Sequence, residues 1–502
     1  MNTLVWTLLL PGCDPATPDV GDSGKPGRDS GVDTADTADT ADTDPSAQRC
    51  SEAPALPLER PEQIQGFTSA EDFTFNGAGQ HVSIDENGNL VGITYEGTKS
   101  VLLPGAGYGA GTHMLADGQI VFADVTNNAL VKVDPASFSS VVLTSGLNYP
   151  NGLDVGIDGA VYVAETGVGS LRRVDAVTGE SEVIARGLSG ANGVSFGPGF
   201  TSIYVGSFGG GVVWRLDQEA EGWSEPVVHG LVPGAAEPPP PPCSEDPLGS
   251  VCSPAGGYGV GECGVLDDGT TDCVLLNDTA ACEGKAEGDP CATTAFGHAI
   301  DSVCATSVTT HELLCPAAPT EYVAPCVDAR PGKACSVGDL AGSCSTNFQS
   351  APICAVTTYL DSMTAACEGL AAGDVCVSED YVYGWVGVCG DGSAWGAGAL
   401  ACVPGSYTGG EAGGLDGLNV DECGNVYATS YVVGKVWRWT AERAEPELVS
   451  DVRASWIPNM HWGNGIGGWA EDVLYVANRD QSSVFALEVG VYGHGEAFDP
   501  TP

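Results

Sequence analysis

Positive charge is what this chain has least of. Its 502 residues carry 18 Lys and Arg against 66 Asp and Glu, a formal charge of -48. A surface this acidic repels phosphate backbones and anionic lipid, which excludes nucleic acid as a partner. It suits solubility, cation binding or saline surroundings. No long helical periodicity is present, and Gly, at 71 residues, has about twice its usual share. Both point to turn-rich β structure. The apolar run near the start, Leu4–Leu10, is too short to span a bilayer. Histidine is scarce at 7 residues. Cysteine is not: 19 residues are too many for a reducing cytosol unless they bind metal.

The run Leu4–Leu10 fits the apolar region of an export signal. It ends at Pro11-Gly12-Cys13, which resembles a bacterial lipobox, so residues 1–13 are expected to be a lipoprotein signal with Cys13 lipidated. Residues 14–49 follow, with DTADTADTADTD at their centre. They hold nine Asp and no aromatic residue, so they cannot bury enough apolar area to offset ordering entropy. A disordered acidic tether is expected, exported to the cell envelope or surface, or otherwise secreted.

From Glu71 onward the chain repeats itself. Six units begin at Glu71, Thr112, Asn151, Asn192, Asp416 and Asn464. Units three and four show the pattern best: NGLDVGIDGAVYVAETGVGSLRRVD and NGVSFGPGFTSIYVGSFGGGVVWRLD. The pairs Asn87-Gly88, Asp117-Gly118, Asp158-Gly159, Pro198-Gly199 and Cys423-Gly424 read as hairpin turns after the first strand. Units of roughly forty residues with four short strands each are propeller blades. The expected fold is all-β: a six-bladed β-propeller over residues 50–236 (blades one to four) and 403–502 (blades five and six with the tail).

The first strand of a propeller blade runs beside the central channel, so the opening residues converge at one mouth. Glu71, Asn151, Asn192 and Asp416 would offer two carboxylates and two amide oxygens there. This hard-oxygen set suits one divalent metal, Ca²⁺ first, with Zn²⁺, Mg²⁺ or Mn²⁺ as alternatives. Thr112 with His113, and Asn464, fall in the same series. His461 lies close by, and His113 and His461 are candidates for substrate contact or proton transfer.

On SAEDFTF, YPNGLDV, GANGVSF, GLDGLNVDECGNVYA and the closing HWGNGIGGWAEDVLYVANRDQSSVFALEVGVYGHG, the chain resembles the regucalcin/gluconolactonase (senescence-marker-protein) family. The resemblance spans residues 67–232 and 409–495. It implies a six-bladed propeller and a metal-dependent lactone hydrolase. Glu71, Asn151, Asn192 and Asp416 fall on the family's metal slots, and Asp416 would also act as the general base. Sugar-lactone binders of the family carry an Arg shortly before the blade-three Asn. Here that stretch is Leu147-Asn148-Tyr149-Pro150, which leaves Tyr149 and Asn464 as further candidates for contact with a substrate.

Between blades four and five lies an insertion. Residues 237–242 form a Pro-rich linker, and residues 243–402 hold sixteen Cys in four sets. The sets are Cys243, Cys252, Cys263 and Cys273; Cys282, Cys291, Cys304 and Cys315; Cys326, Cys335, Cys344 and Cys354; and Cys367, Cys376, Cys389 and Cys402. Each opens with C-x5-G-x2-C, unlike the C-x2-4-C spacing of zinc sites. Two disulfides per set are expected, and spacing leaves the three pairings within a set open. Cys50 and Cys423 remain and could bridge the N-terminal segment to blade five. The insertion joins an outer strand to an inner one, which places it at the rim of the mouth.

Two functions follow as expectations. One is an exported, membrane-anchored, metal-dependent hydrolase of lactones or related esters. The other is a non-catalytic surface propeller whose metal is structural and whose Cys-rich repeats bind an extracellular protein or glycan. Either would meet a membrane through its lipid anchor only.

Overall fold

The computed structural model describes residues 45–494, apart from residues 60, 209, 221, 441–444 and 455 and several short stretches between 236 and 413. The expected lipobox with Cys13, and residues 14–44 of the expected tether, lie outside the described residues. No described helix is long and apolar enough to cross a membrane.

Six antiparallel sheets form the blades of a propeller. Their inner strands are Phe73–Phe75, Gly109–Met114, Pro150–Val155, Ala191–Phe196, Leu415–Val420 and Met460–Trp462. The second strands are short runs rich in apolar and β-branched residues. Val161–Glu165 and Val426–Ser430 are buried along their whole length, as strands covered on both faces must be. Adjacent blades share apolar cores. Tyr162, Leu171, Phe196, Ile203, Val205 and Trp214 pack between blades three and four. Tyr427, Met460, Trp462, Leu474 and Phe485 pack between blades five and six. At roughly 1.5–3 kcal/mol for each fully buried side chain, these seams hold the ring together.

Ring closure was not legible in the repeat. Blade six supplies only three strands of its own, and its fourth is the N-terminal segment Glu62–Gln65. This segment pairs with Ser483–Glu488 in the register Glu62↔Ala486 to Gln65↔Ser483. The sequence EQIQ has a single apolar residue, so no alternation announces it. Just upstream, residues 45–49, placed in the tether by composition, form the first part of a helix, Pro45–Glu52. A disulfide from Cys50 to Cys423 fastens that helix to the propeller. Arg49 reinforces it, donating from Nε to Glu422 at 2.7 Å and lying 4.0 Å over the Tyr492 ring. Cys423 sits in the turn after the inner strand of blade five, at the end remote from Asp416. The N-terminal segment is therefore held on the face opposite the mouth.

In the insertion, short antiparallel sheets carry the cysteines. One is Val251–Cys252, Gly261–Val265 and Thr271–Leu275; another is Ala334–Val337, Leu340–Thr346 and Pro352–Val356. The disulfides settle the pairing as first with third and second with fourth: Cys243–Cys263, Cys252–Cys273, Cys282–Cys304, Cys291–Cys315, Cys326–Cys344, Cys335–Cys354 and Cys367–Cys389. The side chains of Cys376 and Cys402 lie outside the described residues. The sulfurs themselves form the buried centre of each repeat, as suits units too small for an apolar core. Arg186 reaches Asp272 of the insertion at 4.0 Å, and a Cβ at Gly187 would come within 3.2 Å of Pro241. Both contacts lie on the connection from blade three to blade four, on the face of the mouth.

Candidate functional site at the channel mouth

Four inner strands carry the same irregularity. Their pairing shifts by one residue between Gly109 and Thr112, Pro150 and Leu153, Ala191 and Val194, and Leu415 and Leu418. These are β-bulges, which re-aim side chains. The bulged positions are Ala110-Gly111, Asn151-Gly152, Asn192-Gly193 and Asp416-Gly417. The pairs Asn151-Gly152, Asn192-Gly193 and Asp416-Gly417 thus sit in bulges within strands and not in hairpin turns. Their glycines serve close approach: a Cβ at Gly111 would lie 2.4 Å from the Asn151 carbonyl oxygen, at Gly152 2.5 Å from that of Asn192, and at Gly193 2.4 Å from that of Asp416. Each blade thus rests on the backbone of the next blade's site residue.

Asn151, Asn192 and Asp416 are buried at 7%, 4% and 3% exposure. The Asn192 amide hydrogen-bonds the Asp416 carboxyl, yet Oδ2 of Asp416 is buried without a partner. Burial raises the Asp416 carboxyl well above its usual range, and the nearby charges of Glu71 and Asp72 add to the rise. Glu71 is raised as well, by burial first, against the pull of Arg479. The acids therefore share one electrostatic environment.

Arg479 is the residue that sequence reasoning missed. Its Nη1 lies against Glu71 Oε2 and donates to Tyr431 Oη at 3.4 Å. Tyr108 donates to the same Glu71 oxygen at 3.3 Å, and burial pushes the Tyr431 phenol up to about 12. A signal existed. Phe208, Tyr431 and Arg479 each follow directly on the second strand of blades four, five and six, at the strand end nearest the mouth. Tyr149 and Trp456 sit two residues before Asn151 and Pro458 at the rim. Both have positive φ, 53° and 61°, a conformation that costs a bulky side chain energy and marks functional sites. Trp456 stacks parallel to Tyr431, with ring centroids 6.3 Å apart.

Three sequence placements need correction. Thr112 is not a mouth residue, because the bulge assigns that position to Ala110. Asn464 lies in the turn between the first two strands of blade six, on the opposite face, donating to the Asn76 carbonyl at 3.1 Å. The loop GNGIGG imitates a blade opening there. Blade six keeps its register without a bulge, and Asn459 stands alone where other blades have two residues, its amide bonded to Asp72. The pair Asn87-Gly88 belongs to the turn after the second strand of blade one.

His113 and His461 lie deeper, in the channel. His113 Nε2 is 3.2 Å from Asp154 Oδ1, and His461 Nε2 is 3.4 Å from Asp72 Oδ1. Asp154 also accepts from Phe196 N at 2.9 Å, and Asp72 from Thr112 N at 2.7 Å, so each acid staples its blade to the next. Burial raises the Asp154 carboxyl, but the bond and charge of His113 outweigh it and hold the group below its usual range. The cavity lined by His113, Asp154 and His461 is about 20 Å³, enough for one or two waters.

A cation at the mouth fits on chemical grounds. The unpartnered Asp416 oxygen, the excess of acids and the amides of Asn151 and Asn192 make a hard-oxygen donor set. Among the described residues, the groups of three acid, imidazole or thiol ligands within 4.8 Å of one another are all cysteines, and these are tied up in disulfides. A cation here therefore needs the amides as well as the acids.

No protein-family model and no curated protein matches the chain. Solved structures similar to it include a gluconolactonase from Xanthomonas campestris, with 20% identity over 44% of this chain and 88% of that one and a TM-score of 0.29. A calcium-binding protein, regucalcin, from Agrobacterium tumefaciens gives 12%, 86%, 96% and 0.39. A luciferin-regenerating enzyme gives 10%, 87%, 98% and 0.42. At these identities the likeness concerns the fold alone, and the chemistry of the site is read from its own residues.

Proposed function

We propose that the mouth binds one divalent metal, Ca²⁺ first among the candidates, on Glu71, Asn151, Asn192 and Asp416, and that the protein hydrolyses lactones or related esters. The observation that carries this reading is the unpartnered Oδ2 of Asp416, 3% exposed among other acids. A buried carboxylate oxygen with no donor costs several kcal/mol, which a bound cation would offset. When bound, the metal would polarise the carbonyl and acidify a water. Asp416 would take a proton from the water that adds to the carbonyl carbon. The ring C–O bond breaks, and Asp416 returns the proton to the departing oxygen, giving a hydroxy acid. Asn192 fixes the orientation of Asp416, and Tyr108, Tyr149 and Tyr431 shield the reacting groups at the rim. The test is turnover of a lactone and ester panel by the wild type and by Asp416→Ala. The variant is expected to lose at least about 10²-fold, the lower range for a general base. Metal binding without turnover by the wild type sinks the enzymatic reading.

A second reading has its own observation. The insertion meets the mouth face at Asp272 and Pro241, and the stretch Leu147-Asn148-Tyr149-Pro150 just before Asn151 holds no Arg. A non-catalytic module whose Cys-rich repeats hold an extracellular protein or glycan accounts for both. In either case the eight disulfides among the described residues place the folded chain in an oxidising compartment. Export as a lipoprotein through Cys13, with domain limits at residues 13, 236, 242 and 402, completes the proposal.

A further inference from the structure

The cation position at the mouth already has a tenant. Arg479 is the cation on Glu71, and its backbone is fixed at both ends: its N–H donates to the Trp456 carbonyl at 2.9 Å, and its carbonyl accepts from Ser69 Oγ at 2.7 Å. Glu71 Oε2 is thereby taken twice, by the guanidinium and by Tyr108 Oη. A metal using Glu71 must displace both donors. The freed guanidinium has somewhere to stay. Its side chain is 25% exposed, its carbon lies 5.6 Å from the Tyr108 ring centroid, and Tyr431 Oη is within reach. It would then stand beside the metal with its planar fork open to solvent, the geometry that receives a carboxylate in two parallel bonds.

We propose that Arg479 is the anion-reading residue of this site, parked on Glu71 until a divalent metal takes that carboxylate and then presented to a ligand bearing a carboxylate. The proposal rests on the metal reading above and adds both an order of binding, metal before anion, and a ligand class. By linkage, the anion must tighten the metal as much as the metal tightens the anion.

The test is calorimetric titration of the full chain with calcium chloride. The Ca²⁺-loaded protein is then titrated with 4-hydroxybutyrate, the opened form of a simple lactone, and with its neutral amide. The Arg479→Gln variant should bind Ca²⁺ at least tenfold more tightly than wild type, and Arg479→Lys should stay within a few-fold of it. Loaded wild type should prefer the carboxylate over the amide by tenfold or more, and Arg479→Gln should lose that preference. Thermal melts of both variants report folding, and the lysine form keeps the charge if the glutamine form is unstable. Equal or weaker Ca²⁺ binding by a folded Arg479→Gln overturns the inference and leaves the metal reading standing. Absence of a carboxylate preference in wild type overturns the anion-reading half. Failure of wild type and Arg479→Gln alike to bind Ca²⁺ overturns the metal reading and the inference with it.

Discussion

Replacing Gly193 by Ala should damage the site from one residue outside the ligand set. Gly193 does not have positive φ, so its backbone tolerates alanine. The obstacle is space. The added methyl would lie 2.4 Å from the Asp416 carbonyl oxygen and 2.7 Å from the Leu418 amide nitrogen. Both are backbone atoms of the next inner strand and cannot swing aside. Overpacking of this kind costs about 1–3 kcal/mol, a fall in Tm of roughly 2–12 °C at about 2–4 °C per kcal/mol. Relief can come only by moving the strand that carries Asp416, so the metal affinity must fall with the stability. Gly118→Ala is the control. That glycine has φ +79° with nothing within 4 Å of a Cβ, so alanine costs about 1–2 kcal/mol through its left-handed backbone and leaves the mouth alone. Melting curves and Ca²⁺ titrations of the two variants should therefore separate, with stability falling in both and affinity only in Gly193→Ala. If Gly193→Ala melts and binds like wild type, the inner strands have slack, and the explanation of the Asn-Gly and Asp-Gly pairs by close approach is wrong.

Acid should act through His81, fully buried against Phe73 with ring centroids 4.4 Å apart. Burial lowers its pKa from 6.5 to about 3. The unfolded chain therefore binds this proton first, and stability present above pH 6.5 is lost as pH falls toward 3, by up to about 5 kcal/mol at 1.36 kcal/mol per pH unit. Denaturant midpoints of His81→Phe should fall less steeply over that window than those of wild type, and parallel curves would refute the assignment. Cys50→Ser should free the N-terminal helix and weaken closure by about 2–4 kcal/mol, read as earlier proteolysis between residues 45 and 62; unchanged cleavage would deny the clamp a role. Peptide mapping of the fourth repeat should find Cys376 joined to Cys402, continuing the second-to-fourth pairing, and any other partner breaks the repeat rule.

The parts of the fold that repeat were legible, and the parts that occur once were not. Asn151, Asn192 and Asp416 could be aligned because the bulge writes the same Asn-Gly or Asp-Gly pair into three blades. Reading those pairs as turns would have missed their cause, which is contact between neighbouring blades and is invisible along one strand. Blade six lacks the bulge, and its Asn464-Gly465 pair, which imitates a blade opening, lies on the opposite face. Glu62–Gln65 carried no signal, since a short polar edge strand needs no alternation. Arg479 escaped because its partner Glu71 is over four hundred residues away in sequence, and only ring closure brings them together. The disulfide pairing within each repeat likewise needed the sheet register, because spacing alone permits three patterns.

The central claim is that one divalent metal sits on Glu71, Asn151, Asn192 and Asp416. Anomalous diffraction from crystals grown with Ca²⁺, and again with Mn²⁺, tests it most directly. A single peak is expected at the channel mouth, with oxygens of all four residues at about 2.3–2.6 Å for Ca²⁺ and Arg479 turned off Glu71. A mouth without a peak, with Arg479 still on Glu71 at saturating metal, would contradict it.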